Sequence, residues 1–215
     1  MFTALLLSAI FTFNRLRGMK FFRAAYYLPN LITAASVGLL FNLLLNGDQS
    51  VINTLLITIH IKGAPFEFFN NPLFTSSTVS YIQWWMWFGY TTVIVMAGMS
   101  TINLQLYEAG MIDGASKSQM FRFITLPLIR PTLIYLMITS IIGGMQLFDV
   151  PATLTGGLGE PQKAILTTPM YIYNQAFKSH NFGYASTLSV GLFMTIVVLS
   201  IIAFRFMSKG GEKHA

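Results

Sequence analysis

Four apolar stretches, at about 26–46, 78–101, 131–151 and 183–207, constrain what this chain can fold into more than any other feature. A spanning helix needs roughly 20 mostly apolar residues, and each stretch supplies them. None shows the period-two alternation of a membrane barrel strand. Of the 215 residues, 54% are hydrophobic and only 9% are charged, with mean hydropathy +0.62. A soluble domain carries about 25% charged residues, because a surface facing water needs them. The composition excludes an ordinary soluble domain, a disordered chain and a soluble nucleic-acid binder. The expected fold is therefore all-α, a polytopic helical membrane bundle. With no Cys in the sequence, a disulfide framework, Cys-ligated zinc and a thiol nucleophile are excluded as well.

A fifth apolar run, Met1 to Phe13, is too short to cross and meets Asn14-Arg15 at its end. A signal peptide places its positive charge before the apolar run, whereas Arg15, Arg17, Lys20 and Arg23 follow this one. The run reads as the inner half of a span, giving about five spans with the first partial. Basic residues then set the orientation. With the 14–25 loop inside, ten Lys and Arg fall inside (Arg15, Arg17, Lys20, Arg23, Lys117, Arg122, Arg130, Arg205, Lys209, Lys213) and three outside (Lys62, Lys163, Lys178). The C-terminus is expected to be cytoplasmic.

The outer segment 47–77 carries the turn signals Gly47-Asp48, Ala64-Pro65 and Asn70-Asn71-Pro72, with Phe66, Phe68 and Phe69 as interfacial anchors or a docking surface. The outer segment 152–182 opens with Thr155-Gly156-Gly157-Leu158-Gly159. No Lys-Ser/Thr follows those glycines, so they do not form a phosphate loop. His60, His180 and His214 lie in loops or the tail, and H-E-x-x-H is absent, so no metal site and no catalytic residue is assigned. No repeat of 20–50 residues is evident.

Residues 102–130, on the inside, are too long for a simple connection between helices. Leu104, Tyr107, Met111 and Ala115 recur at helical spacing, Glu108 and Asp113 lie early, and Lys117 and Arg122 lie late. Asp113-Gly114 offers a turn, and Leu126-Pro127 and Arg130-Pro131 are expected to break the helix before the next span. Such a helix either lies on the membrane surface or docks in a partner's groove.

This segment resembles a known family. Glu108-Ala109-Gly110, Gly114 and Ile124-Thr125-Leu126-Pro127 stand at the spacing of the EAA loop of permease subunits from binding-protein-dependent ABC importers. Asp113, Ala115, Phe121 and Pro131 also fit, while Gly110 replaces the usual Ala. Gly costs about 1 kcal/mol in a helix interior, which loosens the helix without abolishing docking. Arg17-Gly18, Phe21-Phe22-Arg23, Leu28-Pro29, Leu154-Thr155-Gly156-Gly157, Tyr171-Ile172-Tyr173, Ala176-Phe177 and Phe182-Gly183-Tyr184-Ala185 extend the likeness to the sugar-importing branch of the maltose first-permease type.

The resemblance implies one type I importer transmembrane domain over 1–215, with 102–130 as the coupling loop. It implies a second permease, a dimer of ATPase subunits holding ATP and Mg, an extracytoplasmic sugar-binding protein and a bacterial plasma membrane. This subunit would itself hold no cofactor, catalyse nothing, and contact lipid and a carbohydrate but no nucleic acid. Glu108, Ala109, Gly110, Asp113, Gly114 and Ala115 would face the ATPase, although Asp113-Gly114-Ala115 could serve only to shape the turn.

Polar groups inside spans are costly in lipid, so they face a cavity or a partner. Gln83, Met86, Trp87 and Tyr90 make one such stripe, and Ile142, Met145, Gln146 and Asp149 a second. Aromatic faces and amide or carboxylate groups suit a sugar. The stripes coincide with positions lining the sugar site in the maltose-type permease, though Trp87 narrows the cavity. Interhelical hydrogen bonding is the alternative role for Gln83 and Gln146, and Trp84 and Trp85 fit an interfacial belt. Two rival functions remain: an ion-coupled secondary transporter using Asp149, and a non-transporting membrane scaffold.

Overall fold

In the computed structural model residues 1–13, 18–60 and 66–209 are described, and every regular element among them is helical. In chain order these are α1 (Phe2–Phe13), α2 (Met19–Leu31), α3 (Ala34–Leu45), α4 (Val51–Thr58), α5 (Pro72–Ser100), α6 (Leu104–Ile112), α7 (Lys117–Met120), α8 (Leu126–Leu128), α9 (Arg130–Met145), α10 (Asp149–Leu154), α11 (Thr168–Tyr173) and α12 (Phe182–Lys209). Wider π turns at Phe121–Thr125 and Asn174–Lys178 follow α7 and α11. Arg15, Arg17, Lys62, Ala64-Pro65, Lys213 and His214 lie outside the described residues.

Two helical stretches among the described residues are long and apolar enough to cross a membrane, Arg130–Leu154 and Phe182–Ser208, with mean hydropathy 1.6 and 2.4. The stretch expected at 26–46 is not one straight helix. Its limbs, Phe21–Leu31 and Ala34–Leu45, meet at 89° and pass as a span only together. The physical cause is local: Pro29 supplies no N–H to the ladder, and Thr33 restarts the helix by accepting a hydrogen bond from the Ser36 N–H. α5 has ample length at 29 residues, but its polar and indole-rich first half keeps it out of the apolar set.

Segment 47–77, expected as loop, holds α4 and the start of α5. Ser50 caps α4, and the buried Asn53 side chain donates to the Gly47 and Phe66 carbonyls and accepts from the Phe66 N–H. The Phe66 and Phe68 rings pack against each other with centroids 4.8 Å apart, and both meet Phe74.

The chain divides into two compact units, one of Met1–Leu31, Trp85–Ile142 and Val198–Ala215, the other of Ile32–Trp84 and Gly143–Val197. In the first, Ser8 donates to the carbonyls of Ala4 and Thr92, tying α1 to α5. Its core is Val95, Met99, Ile129, Leu133 and Leu136. Gly89 lies flat against α2, where a Cβ would overlap the Tyr26 carbonyl. In the second unit α3 packs along α10, and Asn42 donates to the Leu154 carbonyl at 2.7 Å.

Overpacking against backbone costs about 1–3 kcal/mol, because a carbonyl cannot rotate away as a side chain can. Gly89→Ala is therefore expected to lower the Tm of the detergent-solubilised protein by several degrees. An unchanged Tm would show that α2 and α5 separate easily.

Candidate functional site: the reversal between α5 and α9

Residues 102–130 form a tight helical reversal within the first unit. α5 ends at Ser100, and Asn103 opens α6 by accepting a hydrogen bond from the Gln105 N–H at 3.0 Å. α6 stops after Ile112 in a Schellman motif: Ala115 N–H reaches the Gly110 carbonyl at 2.9 Å and Gly114 N–H the Met111 carbonyl at 3.1 Å. Gly114 has φ +76°, a conformation that carries a steric cost for any side chain. Asp113-Gly114-Ala115 thus does shape the turn.

Ser116 then caps α7 through a reciprocal capping box with Gln119, at 3.3 and 2.8 Å. Its Ser-x-x-Gln pattern was readable in the sequence and is a signal the EAA spacing does not include.

The expected single amphipathic helix is corrected in two respects. Ala115 lies beyond the end of α6 and shares no face with it. Tyr107 is half-buried, whereas Leu104 and Met111 are 66% and 57% exposed, so these three do not form one buried stripe. The inward face is Tyr107 and Gly110. The outward face is Leu104, Glu108, Met111 and Ile112, the last 87% exposed, with Ala109 and Asp113 exposed beside it.

The prolines are also corrected. Pro127 sits in the first turn of α8 and Pro131 in the first turn of α9, and between α7 and α9 only Ile129 leaves helical geometry. The π turn explains this: Leu126 N–H bonds the Phe121 carbonyl five residues back, so the ladder is already offset where Pro127 supplies no donor.

Two contacts lock α6 onto this π turn. The Tyr107 and Thr125 hydroxyls lie 2.9 Å apart, and Thr125, fully buried, also donates to the Met120 carbonyl at 3.4 Å. A Cβ at Gly110 would sit 3.1 Å from Ile124 Cδ1, so glycine lets the two segments approach. Gly110 is thus a packing residue as well as a loosened helix position. Ile102, Phe121 and Leu126 pack against the core of Val95, Met99, Ile129, Leu133 and Leu136, which anchors the reversal to the ends of α5 and α9.

The two polar stripes are placed differently from expectation. On α5, Met86 is buried, only 4% exposed, while Trp87 is 50% exposed and Gln83 and Tyr90 are half-buried. Trp87 and Tyr90 meet edge to face with centroids 5.7 Å apart. Met86 is thus packed within the protein, and the other three are more open. Ile142, Met145, Gln146 and Asp149 do not share one continuous helix. α9 ends at Met145, Gln146–Phe148 are non-helical, and Asp149 starts α10. Gly143-Gly144 weakens the last turn of α9, which lets it open there. Gln146 and Asp149 are exposed as a result, and the Phe148 ring meets Tyr173 at 5.4 Å. Within the described residues no group of three or more His, Cys, Asp or Glu could hold a metal ion.

A hydrogen bond of this kind contributes about 1 kcal/mol. Tyr107→Phe is expected to lower stability by that amount and to raise protease sensitivity near Gly114. Limited proteolysis of the membrane-embedded protein would check it, and an unaltered cleavage rate would show the contact to be incidental.

Residues 19–209 match the family described as binding-protein-dependent transport system inner membrane component. The chain is 33% identical over 202 residues to the lactose transport system permease protein LacF of Rhizobium radiobacter, covering 94% of this chain and 67% of that protein. It is 29% identical over 202 residues to the arabinooligosaccharides transport system permease protein AraP of Bacillus subtilis, covering 93% and 64%. It thus spans about two thirds of the length of these relatives. Its fold is similar to a chain of a bacterial alginate ABC transporter solved in complex with an alginate pentasaccharide-bound periplasmic protein, with TM-score 0.82 and 22% identity over 97% of this chain and 72% of that one. The chain belongs to the family of inner membrane components of binding-protein-dependent transport systems.

Proposed function

We propose that the chain is a pore-forming permease subunit of an ATP-driven carbohydrate importer. The observation that carries this reading is the packed reversal at 102–130, which presents Leu104, Glu108, Met111 and Ile112 outward while its other side is fastened to the ends of α5 and α9. A joint that transmits force to membrane helices needs both properties: an exposed apolar face with a charge for a partner's groove, and a root that does not bend. Glu108 and Ala109 contact the groove of an ATPase subunit, with Asp113 at its edge, while Gly110, Gly114 and Ala115 set the shape of the contact. ATP and Mg belong to that ATPase dimer, and no cofactor is assigned to this subunit.

A second permease completes the pathway, and an extracytoplasmic binding protein delivers the substrate. Gln83, Trp87, Tyr90, Ile142, Met145, Gln146 and Asp149 are the substrate-facing candidates, with the opened backbone at 146–148 adding carbonyl and N–H groups for hydroxyls. The names of LacF and AraP, and the alginate complex, support a saccharide as cargo. The chain sits in a bacterial plasma membrane with its C-terminus inside, supported by the ten-to-three distribution of basic residues. The bent α2–α3 pair, α5, α9 with α10, and α12 are its spans, with α1 a partial one.

Glu108→Lys is expected to leave membrane insertion intact, to reduce uptake at least tenfold and to leave ATP hydrolysis no longer responsive to substrate. Radiolabelled sugar uptake and ATPase assays on the reconstituted complex measure both, and normal uptake would sink the coupling assignment. Asp149→Asn keeps the size of the side chain and removes its charge. If this group meets sugar hydroxyls, uptake KM should rise several-fold with ATPase coupling preserved. An unchanged KM would remove Asp149 from the pathway.

A further inference from the structure

A cavity of about 460 Å³ opens where the end of α1, the start of α2 and the end of α5 converge within the first unit. Phe11, Val93, Met96 and Ala97 line its apolar part, and Thr12, Ser100 and the charged Arg23 are among the other described residues that line it. Among the described residues that line it, none is acidic. Among the described residues the acceptor of the Arg23 guanidinium is the Met19 thioether sulfur, at 3.1 Å. A thioether is a weak acceptor and carries no charge, so it does not neutralise a guanidinium with five donors. The Ser100 and Thr12 hydroxyls are engaged elsewhere, Ser100 donating to the Met96 and Ala97 carbonyls and Thr12 to Met99 Sδ.

We propose that this cavity binds one anionic phospholipid, its phosphate on Arg23 and an acyl chain along Phe11, Val93, Met96 and Ala97. An uncompensated cation at the edge of hydrocarbon is costly, and a phosphate pairs with a guanidinium in bidentate geometry. The apolar side chains that line the cavity with Arg23 suit an acyl chain better than a hydrated ion. Anionic lipids are concentrated on the cytoplasmic side, where the orientation proposed above places Arg23. That orientation supplies the leaflet, whereas the cavity and its charge stand without it. The occupant would brace α5 beside Ser100, two residues before Ile102 joins the core that roots the reversal.

The test is native mass spectrometry of the chain purified in mild detergent with whatever subunits accompany it, titrated with phosphatidylglycerol or with phosphatidylcholine of identical acyl chains. The expected result is retention of phosphatidylglycerol under conditions that strip phosphatidylcholine. Arg23→Gln should weaken that retention roughly tenfold, and Ala97→Phe should weaken it by filling the chain slot. The mass of the assembly reports intactness in the same spectrum, so Ala97→Phe decides the matter if Arg23→Gln does not assemble. Excess glycerol phosphate should not displace the lipid, and displacement would reassign the site to a soluble phosphate. Equal retention of the two lipids, or wild-type retention in both variants, would overturn the proposal. Sugar uptake is not part of the readout, so failure of the lipid site and failure of the importer reading are separate results.

Discussion

The constraint on which the rest of this structure depends is that a chain surrounded by hydrocarbon must satisfy its own backbone. Water is not available to pair a stray N–H or carbonyl, so polar side chains are pressed into local service. Thr78, Thr92, Thr187, Ser189 and Thr195 each donate their hydroxyl to a carbonyl one turn earlier. These residues remain polar in composition yet present little unmet hydrogen-bonding capacity to lipid. Asn53 extends the same solution to irregular backbone, pairing with Gly47 and both backbone groups of Phe66 where α4 leaves the chain to turn. Two of the places where the ladder opens, Gln146–Phe148 and Gly114, are among those where function is proposed to lie.

Close packing at glycines is the second organising element. Gly89 against Tyr26, Gly98 against Thr132 and Gly110 against Ile124 bring segments nearer than larger side chains permit. In lipid the burial of apolar surface gives little drive for helices to associate, and close van der Waals packing at such small residues replaces it. At Gly110 this packing holds α6 close to the π turn.

Much of this was legible in the sequence. Composition and the length of apolar stretches gave the helical membrane class, and the spacing of Glu108, Gly114 and Pro127 located the segment that became the candidate site. The turn at Asp113-Gly114 followed from the need for positive φ. The π turn was not legible, because no local pattern marks it and the contact made from within it, Thr125 to Tyr107, lies 18 residues away in sequence. That single unread feature is why the prolines looked like helix breakers. The 89° bend after Leu31 and the break after Met145 did leave local marks, Pro29 with Thr33 and Gly143-Gly144. A window of 20 residues averages such marks away, so two interrupted elements read as uniform spans. Burial at Met86 was hidden for another reason: a helix in lipid is apolar on every side, so periodicity does not tell the packed face from the exposed one.

A π turn is an α-helix carrying one extra residue. One residue corresponds to about 100° of rotation about the helix axis. The turn at Phe121–Thr125 therefore sets an angular phase between α7 on one side and α9 on the other. Through the Tyr107–Thr125 contact it also sets the direction in which Glu108 points relative to the axis of α9. Chain length in this short stretch acts as an indexing device. Side-chain substitutions there adjust how firmly the joint is held, whereas gain or loss of a single residue turns it to a different bearing.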